Sequence, residues 1–173
     1  MARTLQTLRS AGIDRLIYVG GEPRFGLQTL ASHVRDDETL PQCALRGVVA
    51  AVEYANGLAE NERPDSVVIV ACDLALLQQA TIQRLLEQLG DHDAVVASGA
   101  RDHWSCVAVR PTTANTLKTA LTNAGSTNAD LAMATVFSRL RLARVVIDER
   151  ELTNANHPDV LAHIITNAMN AHR

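Results

Sequence analysis

The sequence predicts an α/β domain whose mainly parallel sheet is covered by helices on both faces, a three-layer arrangement. Three observations carry this expectation. Short β-branched runs alternate with longer segments whose apolar residues recur at helical spacing. The most apolar run, Val67-Val68-Ile69-Val70-Ala71-Cys72, lacks any polar alternation, as suits a strand buried on both faces of a parallel sheet. Glycine or proline punctuates several of the transitions between these segments.

In chain order, Leu5 and Leu8 lead to Ala11-Gly12, a helix end, and Leu16-Ile17-Tyr18-Val19 reads as a strand closing on Gly20-Gly21. Ser32-His33-Val34 is too short to assign, and the polar run Arg35 to Glu38 with Pro41 marks a loop. A helix from about Ala44 places Leu45, Val48, Val49, Val52 and Ala55 on one face. After the Val67 strand, Ile82, Leu85, Leu86 and Leu89 form a second stripe that Gly90 stops. Ala94 to Ala97 and Cys106 to Val109 are short strands joined through Gly99 to His103, close enough in sequence to introduce an antiparallel edge. Pro111 opens a helix carrying Leu117, Ala120, Leu121 and Ala124 as far as Gly125, and another helix bears Leu131, Ala134, Phe137 and Leu140. A strand over Ala143 to Asp148 leads through Leu152 to Asn154-Ala155-Asn156, and Pro158 starts a final helix with Leu161, Ile164, Ile165 and Ala168. No repeat or low-complexity linker interrupts the 173 residues, so one domain over 1–173 is expected.

Composition removes several function classes. A charged fraction of 20% and a net charge of -3, with no Lys/Arg cluster, disfavour nucleic acid and other polyanions as partners. No apolar stretch is long enough to span a membrane and the first residues lack an apolar signal core, so a cytoplasmic protein is expected. Cys43, Cys72 and Cys106 are odd in number and widely spaced, which fits neither a disulfide framework nor a zinc site. All three read as small core or near-core residues.

Asp73 is the most informative residue, because ligands of open α/β sheets dock beyond the carboxyl ends of the strands. A carboxylate there orients a sugar, holds a divalent cation for a phosphate ligand, or merely caps the next turn. By themselves, Asp36 and Asp37 are solvated loop residues, His103 is a surface or packed histidine, and Asn156 before His157-Pro158 is an N-cap or a ligand contact. Trp104 packs on the sheet or lines a cleft. Gly20-Gly21 lacks the spacing of either phosphate-binding fingerprint and reads as a strand-end turn.

Taken in order, Val34-Arg35-Asp36-Asp37, Ala44-Leu45-Arg46-Gly47, Val70-Ala71-Cys72-Asp73, Arg101-Asp102-His103 and Asn154-Ala155-Asn156-His157-Pro158-Asp159 give the chain a recognisable pattern. It resembles the molybdenum cofactor guanylyltransferases, and the wider group of nucleotidyltransferases with that Rossmann-like fold. The resemblance implies transfer of GMP from GTP to the phosphate of molybdopterin, with Mg2+ as cofactor and pyrophosphate as the leaving group. It implies that Asp73, matching the aspartate of a Pro-Cys-Asp strand end, holds the magnesium. Asp36 matches an acidic residue that contacts the nucleotide, with Asp37 as the equivalent if the loop register differs. Gly47 matches the glycine of the nucleotide-binding Leu-Ala-Gly motif. Asn154 and Asn156 match an Asn-x-Asn-x-Pro signature on the acceptor side, where His103 is also expected, although Trp104 replaces the proline that usually follows that histidine.

The departures are as informative as the matches. The family begins with a strand, a glycine-rich phosphate loop and a lysine, and nothing in this chain corresponds to them. Cys43, Ala44 and Arg46 also replace residues typical of the middle motif. Loss of an interior strand predicts two neighbouring strands with unpaired backbone groups and exposed apolar surface. The expectation is an N-terminally incomplete or mis-started domain of very weak or no activity; truncation and a homodimer that supplies the missing pairing are the alternatives. A non-catalytic nucleotide- or partner-binding homologue, and a transferase with another nucleotide or acceptor, are the competing functions.

Overall fold

The computed structural model describes residues 2–23, 26–27, 29–123 and 133–155. Helix α1 (Ala2–Ser10) is followed by strands β1 (Ile17–Val19) and β2 (Ser32–Val34), then by α2 (Ala44–Asn56) and β3 (Val67–Val70). The chain continues through α3 (Gln79–Leu89), β4 (Ala94–Ser98), β5 (Asp102–Val109), α4 (Ala114–Thr122), α5 (Met133–Phe137) and β6 (Leu142–Val146). Pro111 opens a short 3-10 turn that runs into α4, so its missing amide proton falls where no helical partner exists.

The α/β class and its layering follow from two separate cores. Leu45, Val48, Val49 and Val52 of α2 pack with Leu117 and Leu121 of α4 and Phe137 of α5 against Ala94, Val96, Val107 and Val109. Ile82, Leu85 and Leu89 of α3 cover the opposite face, meeting Val95, Ala97, Cys106, Ala108 and Val145. Successive strand residues therefore face different helix layers, and both sets are apolar. That is why β4 reads as a continuous apolar run, with Ala94 to Ala97 all at 0% exposure.

Described strands form two sheets. One has the order β3-β5-β4-β6, with β5 antiparallel to β3 and β4 and with β4 parallel to β6. The other is the parallel pair β1-β2. The antiparallel strand thus lies inside the sheet, and the expected antiparallel edge is corrected. The β4–β5 connection is a tight reversal in which the Gly99 amide donates to the Arg101 carbonyl at 2.9 Å. A reversal that short seats β5 directly beside β4, leaving its far side for β3. Strand β5 also starts at Asp102, so His103 lies in the strand and pairs with Ala97 across a register shift.

Three further expectations differ. Ser32 to His33 to Val34, too short to assign from sequence, is a strand because it pairs in register with β1. All four residues of β3 are half-buried, although its composition implied full burial. Of the cysteines, Cys106 is buried, Cys43 half-buried and Cys72 exposed, so Cys72 is not a core residue. Burial pushes the Cys106 thiol up to about 12, which makes it an inert packing residue. The expected helix stop at Gly125, Leu131, the final helix from Pro158 and Asn156 lie outside the described residues.

Candidate active site

Strand polarity gathers the predicted residues at one end of the larger sheet. Because β5 opposes both β3 and β4, and β6 parallels β4, strands β3, β4 and β6 point the same way. The segments that leave β3 and β6, and the residues that open β5, share that carboxyl pole. These segments carry Asp73, Asn154 and His103 respectively.

Asp73 and Asn154 are brought together by backbone pairing. Leu74 forms an isolated antiparallel bridge with Asn154, and the Ala155 amide donates to the Asp73 carbonyl at 2.9 Å. The Ala75 amide donates to the same carbonyl at 3.0 Å, so the main chain of Asp73 is fixed from two sides. Its side chain is left over for other work: Oδ1 is buried and has no protein partner among the described residues. A buried carboxylate oxygen without a donor is costly unless a cation or ligand completes it.

Asp36 stands at the end of the smaller sheet. The Arg46 guanidinium donates to its Oδ2 at 2.5 Å, and both side chains are largely shielded, at 15% and 16% exposure. Gly20 closes β1 with φ +77, and a Cβ there would meet the Asp36 carboxylate at 3.6 Å. The left-handed backbone of Gly20 and of Gly21, φ +64, makes the pair a strand-end turn that favours glycine, while the Asp36 carboxylate lies at ordinary contact distance. Asp37 turns the other way, accepting from the Thr39 amide at 3.0 Å and its hydroxyl at 2.6 Å. Those two bonds, the hydroxyl's first, hold the Asp37 carboxyl below its ordinary range. Of the two neighbours, Asp36 is the one held against Gly20 and Arg46.

His103 is buried at 9% exposure, its Nε2 lying 3.2 Å from Glu149 Oε1. The other Glu149 oxygen accepts the Ala100 amide at 2.9 Å. That backbone bond, with the nearby His103 charge adding to it, holds the Glu149 carboxyl low. Glu149 thus ties the β4–β5 turn to the segment after β6. Glu151 does the same for α3, accepting from the Gln78 amide at 3.1 Å and the Thr81 hydroxyl at 2.5 Å. Sequence reasoning missed both glutamates and the Arg46 pairing. The one available signal was a charged cluster directly after a predicted strand, at the pole where ligands dock.

Gly47 sits on α2 and lines a cavity with Ala71 and Cys72. A Cβ at Gly47 would meet nothing within 4 Å, so no close approach demands glycine there. Asn154 is exposed, and no contact joins His103 to Asp73 among the described residues. No group of three or more His, Cys, Asp or Glu converges among the described residues. A magnesium ion fits this donor set through Asp73 alone, because Mg2+ is commonly held by one or two carboxylates with phosphate oxygens and water completing the octahedron.

No curated protein matches the chain. A nucleotidyl transferase from Methanothermobacter thermautotroptrophicus superposes with a TM-score of 0.70 at 20% identity, covering 98% of this chain and 80% of that one. Molybdopterin-guanine dinucleotide biosynthesis protein A from Archaeoglobus fulgidus gives 0.69 at 14% identity, covering 94% and 83%. The 2-C-methyl-D-erythritol 4-phosphate cytidylyltransferase of Thermus thermophilus gives 0.63 at 13% identity, covering 95% and 88%. These likenesses establish a shared fold. No helix among the described residues is long and apolar enough to cross a membrane. The family model for the MobA-like NTP transferase domain matches residues 1–140, which leaves Glu149 and Asn154 beyond the matched segment. With the strand polarity and the Asp73 corner, that match places the chain in the MobA-like NTP transferase family of nucleotidyltransferases.

Proposed function

We propose that the chain belongs to an Mg2+-dependent enzyme that transfers GMP from GTP to the phosphate of molybdopterin, releasing pyrophosphate. The observation that carries this reading is the buried, unpartnered Asp73 Oδ1 beside the Leu74–Asn154 bridge. An acceptor phosphate oxygen forms a bond to the α-phosphorus of GTP as the bond to the pyrophosphate oxygen breaks. The acceptor is already an anion and needs no strong general base, so positioning and charge neutralisation dominate. Bound magnesium supplies neutralisation of phosphate charge. Asp73 holds the ion, Asp36 contacts the nucleotide once Arg46 yields it, and Asn154 with Asn156 orients the acceptor near His103. Gly47 leaves room on α2 for a ligand.

The test is a thermal-shift series with GTP, CTP and ATP, with and without magnesium, on the native chain and on Asp73→Asn. Magnesium-dependent stabilisation by GTP that Asp73→Asn removes is the expected result. Equal nucleotide stabilisation in Asp73→Asn would sink the role given to Asp73. A preference for CTP would move the proposal to cytidylyl transfer, the chemistry named for the Thermus protein. Binding without turnover in the presence of every acceptor would favour a non-catalytic homologue.

A further inference from the structure

The segment that leaves β6 forms a strap across the carboxyl pole. It departs from the sheet at Ile147, whose amide donates to the Ser98 carbonyl at 2.9 Å. It then winds into turns, the Glu151 amide donating to the Asp148 carbonyl at 2.9 Å and the Leu152 amide to that of Glu149 at 3.1 Å. Glu149 pins this near end to the β4–β5 turn through the Ala100 amide and His103. Leu152 is buried with Leu74 and Leu77 in the core that α3 covers. The strap next reaches Asn154, which bridges to Leu74, and Ala155, whose amide donates to the Asp73 carbonyl.

Glu151 closes this arrangement into a ring. Its Oε2 accepts from the Gln78 amide at 3.1 Å and from the Thr81 hydroxyl at 2.5 Å. Residues 73–78 lie in the connection between β3 and α3. The strap therefore holds both ends of the stretch that begins with Asp73, through Asn154 and Ala155 at one end and Glu151 at the other. Between those ties, Leu74 and Leu77 pack in the same core as Leu152. Two short segments tied at both ends and packed between leave the Asp73 backbone little freedom. A carboxylate that only capped α3 would offset the missing side-chain cap at Gln78. Capping alone does not require the same strap to pair with the far end of the loop.

We propose that Glu151 is a positioning residue for Asp73: by tying Gln78 to the strap, it fixes the loop that presents the buried, donor-free Oδ1 to a divalent cation. The inference rests on the metal role given to Asp73 above. Glu151 lies beyond the segment that the family model matches, and it acts through the loop instead of on the cation. Groups that orient a metal ligand are worth roughly 10- to 100-fold in metal affinity. A site that draws one carboxylate from the protein depends strongly on where that carboxylate is held.

The probe is Mn2+ alone, a paramagnetic stand-in for Mg2+, titrated into the isotope-labelled full chain below its unfolding onset. Broadening of the Leu74 and Ala75 amide signals is followed in the native chain, Glu151→Ala, Glu151→Gln and Leu85→Ala, and the part that Asp73→Asn removes is taken as binding at Asp73. Glu151→Ala should raise the Mn2+ concentration for half-maximal broadening by roughly 10-fold or more. Glu151→Gln should recover most of that loss, because its amide oxygen still accepts from Gln78 and Thr81. Leu85→Ala weakens α3 without removing a hydrogen bond of the strap and should leave the midpoint where it is. A native midpoint in Glu151→Ala, or an equal shift in Leu85→Ala, overturns the proposal. If Asp73→Asn leaves the broadening unchanged, the metal role of Asp73 fails, and hydrogen exchange of the Ala75 and Ala155 amides judges the clamp by itself. Faster exchange of both in Glu151→Ala than in Leu85→Ala supports it, and equal exchange overturns it.

Discussion

At the scale of single residues, the carboxylates divide by what already occupies them. Asp73 has no protein donor on Oδ1 among the described residues, so Asp73→Asn removes an uncompensated charge and should leave the magnesium-free protein as stable or more stable in thermal unfolding while removing magnesium-linked binding. Asp36 is committed to Arg46 in a shielded pair. Arg46→Ala leaves that carboxylate without its donor and should cost about 1–3 kcal/mol in urea unfolding. Gly99 offers a separate test, because a Cβ there would run into the Glu149 carboxylate. Gly99→Ala should push Glu149 off Ala100 and His103, so its effect and that of Glu149→Gln should be less than additive in a double-mutant cycle. None of these pairings was legible in the sequence, since the partners lie on different elements. Asp36 and Arg46 were both singled out, but for separate reasons and not as a pair.

At the scale of elements, periodicity described most of the helices and strands, and the misreadings share one cause. The strand β2 is three residues long and acquires its identity from β1. The Asp102 end of β5 was read as connection because His103 and Trp104 break the apolar run, yet pairing with β4 extends the strand through them. Local pattern fails where a partner supplies the order. Capping of α3 shows the same limit: Gln78 offers no side-chain cap, and Glu151 substitutes for it from beyond β6. Glu151→Ala should therefore destabilise by about 1–3 kcal/mol, with earlier loss of α3 amide protection in hydrogen exchange. Truncation of its buried anchor, Leu85→Ala, should cost about 2–5 kcal/mol by the same denaturant measurement.

At the scale of the whole molecule, ion pairs tie β6 to its neighbours and set the acid limit. The Arg141 side chain and amide hold the Asp93 carboxyl low, and the Arg144 side chain does so for Asp102. Carboxylates with lowered folded-state values contribute stability that is complete above their ordinary value of 3.8 and is lost as pH falls through the lowered one. Unfolding midpoints should be flat from about pH 7 to about pH 5 and fall steeply below about pH 4. The double substitution Arg141→Ala and Arg144→Ala should flatten that acid limb. The sequence by itself determined the α/β class, the helix faces, the carboxyl-end position of Asp73 and the resemblance to nucleotidyltransferases, because each depends on local periodicity or on motif order. Only the tertiary structure decided that the antiparallel strand is interior, that Asn154 meets Leu74, and that Asp36 is held by Arg46. It also placed two cavities between β1 and β3. These depend on pairing between distant segments, whose partner and register follow from packing of the whole sheet and leave no local trace in the chain.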